Sequence, residues 1–243
     1  MTDADPVAQP PLPPPRWGIP DALLTLLAAT VLSTLTGGLW LAATGAAAGA
    51  DERSYGVAMA GLVGLWLGFV GLPVFLARRK GSGSLALDYG ASVEGNDVGI
   101  GIAAGLASQL ILMPLLYIPL RELLPDTFAD PGDNAEELFD MARGAGRAVM
   151  VLTLVVGAPV VEELFFRGLL QRSLVRRLGP AAGIGVGAVV FGLTHYDPAA
   201  LPGLVAFGVV LGLLAHRYGR LGPSMVAHVA FNAATVAILL ATG

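Results

Sequence analysis

The side chains best suited to chemistry lie within apolar stretches in the second half of the 243-residue chain. Glu162 and Glu163 precede Arg167 in the run GAPVVEELFFRGLL. An ionisable side chain at membrane depth costs at least about 2.5 kcal/mol, so three of them in one apolar stretch require partners or a function.

The spacing of these three residues separates a pair from a single carboxylate. Glu163 and Arg167 stand at i and i+4 with the acid first, so a helix places them on one face, where they can neutralise each other. Glu162 lies about 100° further around the helix and can face another span. Alternatively, all three side chains reach water from the cytoplasmic end of the helix, which suits the long Arg167 better than the glutamates.

Two further motifs follow in later apolar stretches. Phe191 and His195 are four residues apart in FGLTH, and His228 and Asn232 are four residues apart in MVAHVAFNAA. Taken alone, His195 is typical of an interfacial or packing histidine. His228 and Asn232 alone are equally typical of interhelical hydrogen bonding.

Taken together, these residue types indicate amide hydrolysis. A carboxylate beside a histidine can hold and deprotonate a water molecule. A second histidine with an asparagine amide can donate hydrogen bonds to a tetrahedral oxyanion. The same residues could instead form a zinc site from Glu162, His195 and His228 with an open position for water, as in a metalloendopeptidase. Both mechanisms remain open at this point.

The elements that position these residues must be membrane helices. Apolar residues make up 55% of the chain and charged residues 13%, with a mean hydropathy of +0.71. Lipid allows only helices or closed barrels, and the apolar runs are too long for barrel strands and do not alternate with polar residues. We therefore expect an all-α polytopic transmembrane helical bundle.

Cysteine is absent, which excludes disulfides, and the net charge of −4 without a long basic run argues against nucleic acid as a partner.

The apolar runs predict about seven spans and four regions. The spans are expected at 22–50, 57–77, 98–120, 148–170, 180–196, 200–216 and 221–241. The regions are a disordered proline-rich cytoplasmic tail (1–16), N-terminal transmembrane helices (17–120), a polar loop (121–147) and C-terminal transmembrane helices with the motifs (148–243).

Basic residues predict the orientation in the cell membrane. They follow the second, fourth and sixth spans, at 78–80, 172–177 and 217–220. By the positive-inside rule these turns and the N-terminus are cytoplasmic, and the C-terminus is outside. Counted from the cytoplasmic end, Glu162 lies about 15 Å deep, His195 about 22 Å, His228 about 9 Å and Asn232 about 15 Å. The four residues are expected to share one layer.

The ordered motifs EExxxR, FxxxH and HxxxN resemble those of the CPBP family, the CAAX proteases and bacteriocin-processing (Abi) proteins that include type II CAAX prenyl endopeptidases. The resemblance covers roughly residues 145–241 and implies a multi-helix intramembrane endopeptidase. We expect that no cofactor is required, with zinc as the alternative. The resemblance implies that Glu162 and His195 activate water and that His228 and Asn232 form the oxyanion hole. Glu163, Arg167 and Phe191 are then supporting residues.

The expected substrate is a membrane-associated protein or peptide within or beside the lipid bilayer. Two other functions remain open. A proton-coupled transporter would also contain buried Glu and His residues, although its titratable groups should be spread along repeated, broken helices. A non-catalytic immunity or scaffolding protein would keep its function after Glu162→Gln.

Overall fold

The computed structural model describes residues 15–45, 50–128, 142 and 144–242, which contain helices and no strand. In chain order the helices are α1 (Ile19–Thr44), α2 (Ala50–Lys80), α3 (Leu85–Tyr89), α4 (Gly95–Leu123), α5 (Pro125–Phe128), α6 (Ala145–Leu178), α7 (Pro180–Leu193), α8 (Leu201–Tyr218) and α9 (Gly222–Thr242). The predicted all-α polytopic bundle is confirmed. Most of the proline-rich tail and of the 121–147 loop lies outside the described residues.

Within the described residues, six helices are long and apolar enough to cross a membrane: α1, α2, α4, α6, α8 and α9. The predicted fifth span corresponds to α7, which has only 14 residues. At 1.5 Å per residue it is about 21 Å long, shorter than the hydrocarbon core of about 30 Å. Its C-terminal end, which carries His195, therefore lies within the depth of the bundle.

Pairs of glycines four residues apart bring neighbouring helices close together. Gly64 and Gly68 of α2 face α1, Gly101 and Gly105 of α4 face α9, and Gly208 and Gly212 of α8 face α7. A Cβ at Gly208, for example, would lie 3.1 Å from the Cα of Ala188. Membrane helices associate through such small residues because lipid provides no hydrophobic force between them.

The three basic turns meet at one end of the bundle, here called the basic end. The Arg16 amide donates to the Lys80 carbonyl at 2.7 Å, which joins the start of α1 to the end of α2. Arg176 of α6 donates to the Trp17 carbonyl at 2.8 Å, and Arg172 donates to the Gly219 carbonyl at 2.6 Å. The basic residues thus share one side, as their pattern predicts, and the cytoplasmic location of that side stays a prediction.

Wider π-helical turns interrupt α4 and α6. One covers Ser108–Leu112 and another Thr153–Gly157, and each ends two residues before a proline, Pro114 or Pro159. A proline inside a helix removes one hydrogen bond and clashes with the carbonyl four residues earlier, and the extra residue of a π turn accommodates that clash. A third π segment, Leu164–Gln171, contains no proline. Such segments are frequent at functional sites.

Candidate active site

Glu163 and Arg167 form a buried ion pair inside the bundle. Glu163 Oε1 lies 3.2 Å from Arg167 Nη1, and their side chains are 0% and 2% exposed. Arg167 also donates from Nη2 to the Gly208 carbonyl at 3.3 Å, and its guanidinium carbon lies 4.4 Å from the centre of the Phe191 ring. The contact expected from the i, i+4 spacing is present, and α8 and Phe191 hold the arginine in place.

His228 lies between the two glutamates. Its Nδ1 is 3.2 Å from Glu163 Oε1, and its Nε2 is 4.0 Å from Glu162 Oε2. A carboxylate only accepts hydrogen bonds, so the proton of Nδ1 points to Glu163. The distance to Glu162 is too long for a direct hydrogen bond and suits one bridging water molecule. Glu162, with 15% of its side chain exposed, is the more accessible of the two acids.

His195 lies just beyond the end of α7 and is exposed. Its Nδ1 is 2.8 Å from the Phe191 carbonyl, so Nδ1 donates its proton there and leaves the Nε2 lone pair free in the neutral ring. The Phe191 ring centre is 4.8 Å from that of His195 and 5.8 Å from that of His228. The two imidazoles therefore contact the same buried aromatic ring and are at most about 11 Å apart.

The histidine nearest Glu162 is thus His228. Among the described residues no ion pair within 4.0 Å joins Glu162 to His195. The depths counted from the sequence do not carry over to the structure, because α6 continues to Leu178 instead of ending near 172.

Asn232 binds the backbone of α6. Its Nδ2 donates to the Leu154 carbonyl at 2.8 Å. Leu154 lies in a π turn, in which an amide bonds to the carbonyl five residues earlier, as the Ala158 amide does to the Thr153 carbonyl. By the same pattern residue 159 would donate to the Leu154 carbonyl, but Pro159 has no N–H. The Asn232 side chain replaces the missing donor and keeps a second N–H for other partners.

Part of the chain matches the model of a known protein family. Residues 144–234 match the family model described as Rce1-like, type II CAAX prenyl endopeptidase Rce1-like. The chain carries an Rce1-like region. This match confirms the resemblance recognised from the three motifs, since the region includes every motif residue from Glu162 to Asn232. No significant match was found among curated proteins or solved structures.

The zinc set considered from the sequence consists of Glu162, His195 and His228. In the part of the chain that the structure describes, no three His, Asp or Glu side chains come together as a metal-binding group. These three residues therefore do not fit a zinc ion.

Sequence reasoning missed one polar residue of the Rce1-like region. Gln171 is 4% exposed, and its Nε2 donates to the Gly212 carbonyl at 2.9 Å. This repeats, four residues further along both helices, the bond from Arg167 to Gly208. The signal was a polar side chain four residues after Arg167, opposite a GxxxG pair in α8.

Proposed function

We propose that the chain is an intramembrane endopeptidase that hydrolyses a peptide bond of a membrane-associated protein or peptide. The Rce1-like region supports a membrane endopeptidase of the CAAX type. The observation that carries the proposal is the Glu162 carboxylate 4.0 Å from His228 Nε2, next to a buried ion pair that fixes the histidine. A partly exposed carboxylate beside an oriented imidazole is the arrangement that water activation and oxyanion binding require.

In the proposed reaction Glu162 is the general base. It takes a proton from a water molecule as the water oxygen bonds to the scissile carbonyl carbon. His195 Nε2 accepts the second hydrogen of that water and orients it. When the tetrahedral intermediate collapses, the carbon–nitrogen bond breaks and Glu162 returns its proton to the leaving amine.

His228 and Asn232 are the proposed oxyanion donors. Glu163 accepts the proton of His228 Nδ1, so donation to an oxyanion requires a second proton on Nε2. Asn232 contributes the N–H that is not bonded to Leu154. The surrounding bundle orients both donors before the reaction, and loss of one such donor lowers kcat by about 10²–10³-fold.

The test compares wild type, Glu162→Gln and Glu122→Gln in detergent and in liposomes. Glu122 is exposed at the end of α4, so its variant is a matched control for loss of one carboxylate. The substrates are peptides with a C-terminal CAAX tail, prenylated and unprenylated, and peptides with a membrane-spanning segment. Cleavage products are identified by mass spectrometry.

We expect wild type and Glu122→Gln to cleave at least one peptide at similar rates, and Glu162→Gln to be slower by about 10²–10⁴-fold, the usual contribution of a general base. Equal rates for Glu162→Gln and wild type would refute the assigned base. Absence of cleavage by wild type on the whole panel would refute the peptidase and favour a non-catalytic membrane protein or a transporter.

A further inference from the structure

A cavity opens at the basic end between α6 and α8, on the side of Arg167 away from Glu162. Its volume is about 240 Å³. Its lining includes Arg167, Gln171, Arg172, Arg176 and His216 and contains no acidic residue. We call it the basic cavity. None of its lining residues has a role in the proposed hydrolysis except Arg167, which supports Glu163.

The arginines of the basic cavity have unused donors. Arg172 and Arg176 each donate one Nη2 hydrogen bond to a backbone carbonyl, while a guanidinium has five N–H groups. Among the described residues neither arginine lies within 4.0 Å of a carboxylate. Arg167, the third arginine of the lining, is paired with Glu163. Arg172 and Arg176 therefore give the cavity positive charge that no carboxylate of the described residues neutralises.

The size and position of the cavity restrict its ligand. At about 240 Å³ it is smaller than the 300–1,000 Å³ usual for drug-sized ligands, so it suits a small charged group. It lies at the basic end of the bundle, where the apolar spans end and lipid headgroups are expected. Arginine binds phosphate oxygens through two parallel hydrogen bonds, and basic pockets between membrane helices are typical headgroup sites.

We propose that the basic cavity binds the phosphate of an anionic phospholipid headgroup, with Arg172 and Arg176 as its main ligands. This site is independent of the proposed hydrolysis, because its evidence is the charge and shape of the cavity. Lipid binding is therefore measured directly, without reference to peptide cleavage.

The experiment is native mass spectrometry of the full chain released from nanodiscs that contain phosphatidylglycerol or phosphatidylcholine. We expect one phosphatidylglycerol molecule to be retained in preference to phosphatidylcholine. Loss of one hydrogen bond between charged groups lowers affinity about tenfold, so Arg172→Gln/Arg176→Gln should weaken retention about 100-fold. The control Arg78→Gln/Arg79→Gln removes two exposed arginines of the same basic end and should retain the lipid.

A second variant distinguishes loss of lipid binding from loss of folding. Val175 also lines the cavity, and Val175→Asp places a carboxylate among the arginines, which should block the lipid while thermal unfolding stays close to wild type. Equal retention of the two lipids, or equal losses in the control and the double variant, would overturn the proposal. Inorganic phosphate is tested alone, and binding as tight as that of the lipid would assign the cavity to free phosphate and overturn the headgroup assignment.

Discussion

The buried charge of Glu163 should make a large contribution to folding of the bundle. Glu163→Gln keeps the size and an acceptor oxygen of the side chain but removes the charge that lies 3.2 Å from Arg167 Nη1. The guanidinium, 2% exposed, then stays buried without the adjacent carboxylate. Removal of one partner from a buried ion pair typically costs 3–5 kcal/mol because the other charge is left uncompensated.

We expect the lower part of that range, about 3 kcal/mol, because two contacts of Arg167 survive. It keeps the Gly208 carbonyl and the face of Phe191. The free energy of unfolding is measured by titration of mixed micelles with a denaturing detergent, followed by tryptophan fluorescence. The chain has three tryptophans, and Trp17 is 2% exposed, so its emission should report the loss of the bundle.

The matched control is Glu94→Gln, because Glu94 lies 3.1 Å from Arg220 but its side chain is 63% exposed. An exposed ion pair contributes at most about 1 kcal/mol. The variant Glu163→Gln/Arg167→Met removes both charges and should be more stable than Glu163→Gln alone by at least about 1 kcal/mol. A Glu163→Gln variant no less stable than Glu94→Gln, or no recovery in the double variant, would contradict the reasoning.

Three other measurements test the architecture and the chemistry. Asn232→Ala should destabilise the bundle by about 1–3 kcal/mol, because the Leu154 carbonyl loses its donor. Adding Pro159→Ala supplies a backbone N–H and should recover part of that stability. No recovery would contradict the π-turn explanation. Gly105→Ala should lower the thermal unfolding temperature because its Cβ meets the backbone of α9, whereas Gly99→Ala, with open space around it, should not; equal effects would refute the packing role. Treatment with a chelator should leave peptide cleavage unchanged, and a loss restored by zinc would show that a metal takes part.

The helical bundle could be predicted because the solvent imposes it. Lipid offers no hydrogen bonds to the backbone, so apolar composition and run length determine helix number and approximate position. The runs predicted at 98–120 and 221–241 became α4 and α9. The apolar runs did not predict the π turns or the short length of α7, because both depend on packing between neighbouring helices.

The candidate site was predictable in its members and only partly in its contacts. The i, i+4 relation of Glu163 and Arg167 follows from helix geometry alone. The contacts of His228 with two glutamates cross between α6 and α9, and no spacing within one helix contains that information. The proposed catalytic roles of Glu162, His195, His228 and Asn232 stay predictions for the peptide assay.

The sequence by itself determined that this chain is a polytopic membrane bundle and that its candidate catalytic side chains lie on or just after three late helices. It could do so because helix formation in lipid and the i, i+4 periodicity are local properties. Only the tertiary structure decided that His228 rather than His195 lies nearest Glu162, and that Asn232 binds the Leu154 carbonyl, which Pro159 leaves without a backbone donor. Those contacts depend on helix length, π turns and glycine-mediated approach, which act together across residues far apart in the chain.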